Sequence, residues 1–427
     1  MSTLEQGTTG SSDSTSAAIK QRFTDYVVPT YGRFDVVLSR GTGCYVWDED
    51  DRRYLDMGAG IAVCSLGHSH PALTQAIATQ AARLVHVSNL YYHDLQGRFA
   101  ERLVKNIAPG KCFFCNSGAE ANETLIKLAR KVGSESGRFE IITCLNSFHG
   151  RTMAGISATG QQKVKTGFEP LLPGFTHVPF NDLAAVEKAI SPATVAVMIE
   201  GIQGEGGINP ATPEFLLGLR KLCDDRGLLL LFDGVQCGHF RTGTFQSFER
   251  ILEGVHLEKP FLPDGISMAK SLGGGFPMGA VWIHERHSDV LGPGSHGTTF
   301  GGTPLASAVG LALLDEIEQQ DLAQNARQVG EAFSQALKGL QAEYPGVIKE
   351  VRGLGLMLGV ELADGFTERF AADRPLSIQM VVALQNEGLI VIPAGTNVIR
   401  FLPPLNVSEE QAQEAVSILK KTIQGLI

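Results

Sequence analysis

The chain has 427 residues, of which 43% are apolar and 19% charged, a balance typical of a globular protein with a large hydrophobic core. Its 36 basic and 45 acidic residues give a formal net charge of −9, which argues against nucleic acid or an anionic membrane as the main partner. No apolar run approaches the roughly 18 residues of a membrane span, and the seven dispersed cysteines fit a reducing cytoplasm better than a disulfide framework.

The N-terminal residues 1–20 are rich in Ser, Thr and Gly and carry no apolar stripe, which predicts a disordered tail. They also lack the apolar stretch of a secretory signal peptide. An organelle transit peptide stays open as an alternative, although no arginine occurs before Arg22.

Residues 21–80 are interpreted as the N-terminal part of a small domain. Within them, residues 41–55 alternate apolar and polar side chains around a turn, which predicts an antiparallel hairpin. A helix is expected to open at Pro71, just after His68 and His70. The two histidines are conceivable metal ligands, but no cysteine or histidine follows at the spacing of a metal site, so we predict none here.

Residues 81–305 are interpreted as a large domain, because apolar strands alternate there with amphipathic helices. The predicted strands are residues 111–115, 139–144, 195–199 and 227–233. This alternation predicts an α/β fold with a mostly parallel, doubly wound sheet flanked by helices. Cys112 and Cys115 lie in the first of these strands, where buried thiols are expected rather than a metal or redox pair.

The C-terminal residues 306–427 have a different character. Long charged helices come first and short strands follow, which predicts a smaller α+β domain completed by the N-terminal segment.

A helix start follows the first predicted strand of the large domain. Ser117 and Glu120 form an S-x-x-E pattern, which predicts a capping box. The backbone N–H groups of Gly118 and Ala119, together with the Ser117 hydroxyl, make this helix start a candidate phosphate-binding site. A well-capped helix without a ligand has the same pattern, so both interpretations stay open on these residues alone.

Lys270 follows a short apolar run and precedes the three glycines at residues 273–275. A lysine amine can form a Schiff base with a carbonyl cofactor, and glycines let the backbone approach a bulky ligand. A solvated loop lysine shows the same local pattern. The functional interpretation is favoured by Asp233 at the end of a buried strand, because ligands bind beyond the carboxyl ends of strands in α/β sheets. Its carboxylate could hold a pyridine nitrogen protonated, as pyridoxal phosphate (PLP) chemistry requires.

Seven motifs from about residue 26 to the C-terminus resemble those of the class III, fold-type I PLP-dependent aminotransferases, and among these the acetylornithine aminotransferases. The motifs are VSNLYY (87–92), NSGAEANE (116–123), FHGRT (148–152), IQGEGG (202–207), AKSLGGG (269–275), GSHGTTFGG (294–302) and VIRFLPPL (398–405). The resemblance implies a fold-type I large domain with a smaller α+β domain, PLP as cofactor, and a homodimer whose subunits share their active sites.

The resemblance also implies which residues hold the cofactor. Lys270 would form the Schiff base with PLP and move a proton, Asp233 would keep the pyridine nitrogen protonated, and Gln236 would reach the ring hydroxyl. The remaining cofactor contacts would be Phe148 stacked on the ring, Ser117, Gly118 and Ala119 on the phosphate, and Thr299 on the phosphate of the neighbouring subunit. An aromatic after a strand is otherwise a core residue, and Thr299 is otherwise a turn hydroxyl.

Three further residues would bind the substrates. By resemblance, Arg400 binds the α-carboxylate of glutamate or 2-oxoglutarate, Glu205 pairs with Arg400 when that carboxylate is absent, and Arg151 holds the far carboxylate. The reaction implied is transfer of an ω-amino group, with N2-acetylornithine as the first candidate donor, to 2-oxoglutarate in arginine biosynthesis. The alternatives are ornithine, succinylornithine, succinyl-diaminopimelate or 4-aminobutyrate as donor, and, more remotely, an inactive PLP-fold binding protein.

The chain departs from the family pattern at four positions. Gly234 stands where Glu usually follows the aspartate, Phe240 replaces a glycine, Gly201 replaces a proline, and Thr303 replaces an asparagine. We expect Phe240 to fill the volume that the missing carboxylate at Gly234 leaves, so that the two changes compensate for each other.

Overall fold

The computed structural model of the protein describes residues 15–370 and 374–427. Its helices are α1 (Ser16–Tyr26), α2 (Ala59–Ala62), α3 (Pro71–Ala81), α4 (Asp94–Ile107), α5 (Gly118–Gly133), α6 (Met153–Ala158), α7 (Leu183–Ala189), α8 (Pro213–Arg226), α9 (Ser247–Ile251), α10 (Pro304–Gln319), α11 (Leu322–Glu343), α12 (Leu376–Asn386) and α13 (Glu409–Leu426). Its strands are β1 (Leu38–Thr42), β2 (Tyr45–Asp48), β3 (Arg53–Asp56), β4 (Gly110–Cys115), β5 (Glu140–Cys144), β6 (Phe175–Val178), β7 (Thr194–Glu200), β8 (Ile202–Gln203), β9 (Asn209–Pro210), β10 (Leu229–Asp233), β11 (Gly265–Met268), β12 (Gly279–His284), β13 (Ile348–Leu354), β14 (Met357–Leu362), β15 (Leu389–Ile390), β16 (Ile392–Ala394) and β17 (Val398–Phe401). Within the described ranges, none of the helices is both long enough and apolar enough to cross a bilayer.

The central sheet has the strand order β4-β12-β11-β10-β7-β5-β6. Strand β12 runs antiparallel to both neighbours and the other pairs are parallel, so the predicted mostly parallel sheet is confirmed. Strand β10 shows the cause: Leu229 and Leu231 pack into the core that contains α5, whereas Leu230 and Phe232 pack into the opposite core that contains α8. A strand that is apolar on both faces is stable only between two helical layers.

A third hydrophobic core joins the two ends of the chain. Leu55 from the N-terminal segment packs there with Phe333 and Phe401 from the C-terminal part, and β3 pairs in parallel with β15. The predicted smaller α+β domain built from both chain ends is therefore confirmed. Helix α10 contributes Val309 to this core and Leu314 to the core of the central sheet, so it connects the two domains. The boundaries at residues 80 and 305 stay predictions.

Part of the segment predicted as an N-terminal tail is helical. Helix α1 begins at Ser16, where the Oγ1 of Thr15 accepts a hydrogen bond from the backbone N–H of Ala18 at 3.3 Å. Assigning residues 16–20 to a tail was therefore wrong, because the cap starts a helix there. Residues 1–14 of the predicted tail lie outside the described residues.

The hairpin predicted within residues 41–55 is confirmed as β2 and β3, which pair antiparallel, and β1 extends it by a third strand. The two histidines that follow have local partners. His70 accepts a hydrogen bond from the backbone of Ala72 and caps α3, while His68 bonds to the carboxylate of Asp56 at 2.8 Å.

Candidate active site

A cavity of about 510 Å³ opens beyond the carboxyl ends of the strands in the central sheet. It lies there because parallel strands end at the same sheet edge, so that the residues following β4, β5, β10 and β11 meet. The predicted site residues among its lining are Ser117, Gly118, Ala119, Phe148, Arg151, Asp233, Gln236 and Lys270. The fold thus brings together side chains that are up to 153 positions apart in the chain, from Ser117 to Lys270.

Lys270 stands two residues after the end of β11 and has a φ of +50°, in the left-handed region that side chains larger than glycine seldom adopt. This strained backbone directs a partly buried lysine into the cavity wall, and such strain is common at functional sites. Burial lowers the pKa of Lys270, against the opposing charge of Glu205. The amine therefore loses its proton more easily than a solvated lysine does, as a nucleophile must.

Asp233 is 3% exposed, and four groups hold its carboxylate, one of them Ser267 Oγ, which donates to Oδ1 at 3.4 Å. Its Oδ2 accepts hydrogen bonds from Asn122 Nδ2 at 2.7 Å and from His149 Nδ1 at 2.8 Å, and its Oδ1 accepts one from the N–H of Val235 at 3.1 Å. Burial would lower the pKa of His149, but its hydrogen bond to Asp233 and the charge of that carboxylate raise it. This network holds the carboxylate in one position at the wall of the cavity.

Sequence analysis missed Asn122 and His149, although both lie inside quoted motifs, beside residues that were chosen. It also missed a strained turn at residues 59–62, whose four residues all have positive φ. The carboxylate of Asp56 accepts hydrogen bonds from the backbone at the start of this turn, and Val63, which follows it, lines the cavity. The only sequence signal for the turn is the Gly-Ala-Gly run before Ile61.

The N-terminus of α5 points into the cavity. Ser117 caps the helix, and its Oγ accepts the N–H of Glu120 at 3.2 Å. The predicted capping box needs a correction: the Glu120 carboxylate bonds the N–H of Asn116 at 2.6 Å instead of the cap residue's own. A Cβ on Gly118 would lie 2.7 Å from Val235 Cγ1, so only glycine lets the two segments pack this closely.

Arg400 lies on β17 and makes an ion pair with Glu205. Its Nη1 donates to Glu205 Oε1 at 2.6 Å and to Gln236 Oε1 at 2.7 Å, and Gln236 Nε2 donates to Glu205 at 3.2 Å. Burial would raise the pKa of Glu205, but Arg400 holds it below its usual value. Of these three residues, Gln236 is the one that lines the cavity. The sequence prediction that Arg400 and Glu205 pair is matched by this geometry.

Two predicted residues lie at or beyond the rim of the cavity. Arg151 is exposed, and its guanidinium sits 5.4 Å from the ring centre of Phe148. Thr299 is exposed and does not line the cavity of its own chain, whereas the hydroxyl of Thr298 accepts a hydrogen bond from Asn116 at 3.0 Å. Within one chain, the structure therefore does not bring Thr299 to the other site residues.

The four departures from the family pattern have local explanations, and one corrects an expectation. A Cβ on Gly234 would meet Gln246 Oε1 at 2.6 Å and the carbonyl oxygen of Ser267 at 3.1 Å. Gln246, not Phe240, thus occupies the space beside Gly234, and the Phe240 ring instead contacts Phe245. The expected compensation by Phe240 is not seen in these contacts.

The other two departures are also accommodated by neighbouring side chains. A Cβ on Gly201 would collide with Ser247 Oγ and with the Phe232 ring, so a larger residue would not fit there. Thr303 caps α10, and its Oγ1 accepts the N–H of Ala306 at 3.2 Å. Threonine and asparagine are both good caps, so this change keeps the function of the position.

Substitution of Gly234 by glutamate is expected to destabilise the protein by about 1–3 kcal/mol, because the new side chain must displace Gln246. The double variant Gly234→Glu with Gln246→Ala should recover most of that loss. Urea unfolding of the single and double variants measures the coupling. Gly234→Glu with Phe240→Gly is the matched control, and its two effects should simply add. If position 234 couples to Phe240 and not to Gln246, Phe240 does compensate for the missing carboxylate as the sequence predicts.

The residues of this cavity fit PLP. A partly buried lysine with a lowered pKa, a carboxylate held by three side-chain donors, and the N-terminus of a 16-residue helix line one space of suitable size. These match the aldehyde, the ring nitrogen and the phosphate of that cofactor in chemical character.

Comparison with known proteins agrees with this geometry. Residues 26–423 match the family described as aminotransferase class-III. An acetylornithine aminotransferase of a Nostoc species is 45% identical, with 99% of this chain and 98% of that protein covered.

Solved structures extend the comparison. The ornithine aminotransferase of Toxoplasma gondii has a TM-score of 0.88 at 32% identity, covering 96% of this chain and 95% of that one. A second structure of the Toxoplasma enzyme is described as having partial occupancy of PLP at its active site. The N-acetylornithine aminotransferase of Stenotrophomonas maltophilia has a TM-score of 0.78 at 36% identity, covering 94% of this chain and 98% of that one. The protein therefore belongs to the class III aminotransferases, enzymes that transfer amino groups with PLP as cofactor.

Proposed function

We propose that this enzyme transfers the ω-amino group of N2-acetylornithine to 2-oxoglutarate, giving the semialdehyde and glutamate, as a step of arginine biosynthesis. The observation that carries the proposal is the ion pair of Arg400 with Glu205 beside the cavity. Such a pair suits an enzyme whose two substrates differ in whether a carboxylate lies next to the reacting carbon. The names of relatives such as the Nostoc protein support the choice of donor.

The difference in burial between the two side chains supports Glu205 as the partner that moves. The side chain of Arg400 is 1% exposed and lies on β17, between β14 and β16, whereas that of Glu205 is 29% exposed and lies in a turn. When glutamate or 2-oxoglutarate binds, Glu205 swings away and Arg400 binds the α-carboxylate in its place. When the ω-amine donor binds, Glu205 stays, because a buried arginine left without a carboxylate to balance its charge costs about 3–5 kcal/mol.

The other site residues take the roles expected from sequence in this proposal. PLP supplies an electron sink for the negative charge that develops on the substrate carbon. Lys270 binds the cofactor and moves the proton between substrate atoms, and Asp233 places its charge at the ring nitrogen. The cofactor ring packs on Phe148 and its hydroxyl contacts Gln236. The phosphate is bound by Ser117, Gly118 and Ala119. Arg151 binds the far carboxylate of the substrate.

The donor is tested by a panel of ω-amines with 2-oxoglutarate. N2-acetylornithine should give a kcat/KM at least about tenfold above those of ornithine, succinylornithine, succinyl-diaminopimelate and 4-aminobutyrate, a gap of about 1.4 kcal/mol in transition-state binding. A higher value for any other donor would replace the proposed substrate. If no donor changes the absorbance of the bound cofactor, the protein is an inactive binding protein.

Ornithine is the second candidate, because the structure superimposes better on the Toxoplasma ornithine aminotransferase, with a TM-score of 0.88, than on the Stenotrophomonas N-acetylornithine enzyme, with 0.78. Ornithine carries a free α-amino group, whereas acetylornithine does not. The ratio of kcat/KM for these two donors therefore decides between the candidates.

The protein is proposed to act as a homodimer with shared active sites. An apolar surface surrounds Thr299: Leu90, Tyr91 and Phe300 are 86%, 71% and 62% exposed, and the ring of His86 lies 5.4 Å from that of Phe300. A patch of this kind typically marks a protein interface. Burying it against a second copy would carry the exposed Thr299 toward the partner's cofactor.

The variant Thr299→Ala is expected to bind PLP about tenfold more weakly, because a hydroxyl that donates to a charged phosphate contributes about 1.5 kcal/mol. Equilibrium titration of the apoenzyme with PLP measures the loss, and sedimentation confirms the dimer. Ser417→Ala, on the outer surface of α13, is the matched control. A monomer with wild-type affinity in the Thr299 variant would contradict the shared site.

The compartment is proposed to be a reducing cytoplasm. All seven cysteines are free thiols, and burial raises the pKa of Cys112 and Cys115 to about 12. Both side chains therefore keep their protons, which supports the interpretation of this pair as core thiols.

A further inference from the structure

The loop that carries Thr299 runs along α5 and is attached to it at three points. Asn116, just before the helix, donates to Thr298 Oγ1 at 3.0 Å. Farther along, Thr124 Oγ1 lies 2.8 Å from His296 Nε2. Lys127 Nζ then donates to the carbonyl oxygen of Ser295 at 2.9 Å and lies 2.9 Å from His296 Nδ1. These contacts follow one face of α5 along three turns.

His296 is the central attachment, and its neighbours determine where its proton lies. The ammonium of Lys127 has only donors, so Nδ1 of His296 accepts and carries no hydrogen. Nε2 therefore carries the hydrogen and donates it to Thr124 Oγ1, whose own hydrogen goes to the carbonyl oxygen of Glu120 at 2.8 Å. The imidazole ring packs against Phe113 at 4.8 Å between ring centres. Every polar atom of this neutral ring thus has one defined partner.

This arrangement connects the phosphate-binding helix of one subunit's site to the loop proposed to serve the partner's site. The N-terminus of α5, with Ser117 and Gly118, faces the cavity of its own chain, and Thr299 follows the attached loop. We propose that His296 is a positioning residue that fastens the Thr299 loop to the phosphate-binding helix, so that each subunit delivers Thr299 to the partner's cofactor from a fixed position. The inference rests on the shared site proposed above.

The attachment has a defined pH dependence. The groups that face His296 are the ammonium of Lys127 and the more distant carboxylates of Glu123 and Glu120. Burial and the Lys127 charge lower the pKa of His296 below its ordinary value of 6.5. The neutral ring therefore stabilises the attachment at neutral pH, and this contribution is lost as the pH falls below 6.5 through the lowered value. Protonation removes the acceptor at Nδ1 and places two positive charges side by side.

The test compares His296→Phe and Lys127→Met with the wild-type holoenzyme. His296→Phe keeps a ring against Phe113 but loses both hydrogen bonds, and Lys127→Met keeps the length of the side chain but loses the donor. Lys131→Met, one turn farther along α5 and exposed, is the control for loss of charge. Two readouts are taken between pH 5 and 8: hydrogen exchange of the peptide spanning residues 292–301, and the affinity of the apoenzyme for PLP.

Both variants should exchange amide hydrogens faster in this peptide and bind PLP about tenfold more weakly at pH 7.5, while Lys131→Met behaves as wild type. Wild type should lose protection below pH 6.5, and His296→Phe should show no such transition. Unchanged exchange in both variants would overturn the attachment. Faster exchange with unchanged PLP affinity would overturn its role at the cofactor site. If instead the proposal of a shared site is wrong, the variant Thr299→Ala will bind PLP with wild-type affinity, which distinguishes the two cases.

Discussion

Replacing Lys270 by alanine is expected to remove all measurable transamination, a loss of at least about 10⁴-fold, because the variant lacks the amine that binds the cofactor and moves the proton. The absorbance of covalently bound PLP should disappear as well. The fold should be retained, since Lys270 lines the cavity and alanine, which has the same Cβ as lysine, leaves the strain at its φ of +50° unchanged. Circular dichroism and sedimentation check that the protein stays folded and assembled.

Lys165 offers a matched control for this experiment. It is also buried, burial lowers its pKa, and its Nζ lies 3.0 Å from His177 Nε2, but it does not line the cavity. Lys165→Ala should therefore keep the cofactor absorbance and most of the turnover. Normal turnover in Lys270→Ala would rule out Lys270 as the residue that binds the cofactor.

Substitution of Asp233 by asparagine is expected to lower kcat by several powers of ten while PLP still binds. Without the carboxylate, the ring nitrogen loses its proton and the cofactor becomes a poor electron sink. The amide would also face the donors Asn122 Nδ2 and His149 Nδ1, which now hold the carboxylate oxygen at 2.7 and 2.8 Å. Single-turnover kinetics with glutamate and PLP titration separate the chemical step from cofactor binding.

Asn122→Ala is the comparison for this variant, because it removes one hydrogen bond to Asp233 and leaves the negative charge in place. Its kcat should fall by about tenfold, the value of one hydrogen bond to a charged group. If kcat falls by the same small factor in both variants, the charge of Asp233 does not keep the ring nitrogen protonated, and another group must do so.

The fold class and eight of the residues that line the cavity could be predicted from the sequence alone. Three site residues could be predicted because each lies at or just after the end of an apolar run typical of a buried strand: Lys270, Asp233 and Ser117. Parallel strands end at one edge of a sheet, so these residues are expected to meet there. This inference needs only the order of elements along the chain. The same reasoning assigned the first residues of α1 to a tail, because the helix cap at Thr15 lies in a stretch whose composition resembles a disordered segment.

The contacts between side chains could not be predicted in this way and become visible in the folded chain. Gln246 lies 12 positions from Gly234 in the chain and still takes the space beside it, while Phe240, although closer in sequence, contacts Phe245. Likewise, His296 meets Lys127 across 169 positions. Strand order can be inferred from local patterns, but a contact of this kind depends on the packing of whole elements and on rotamers, which no local pattern of residues encodes.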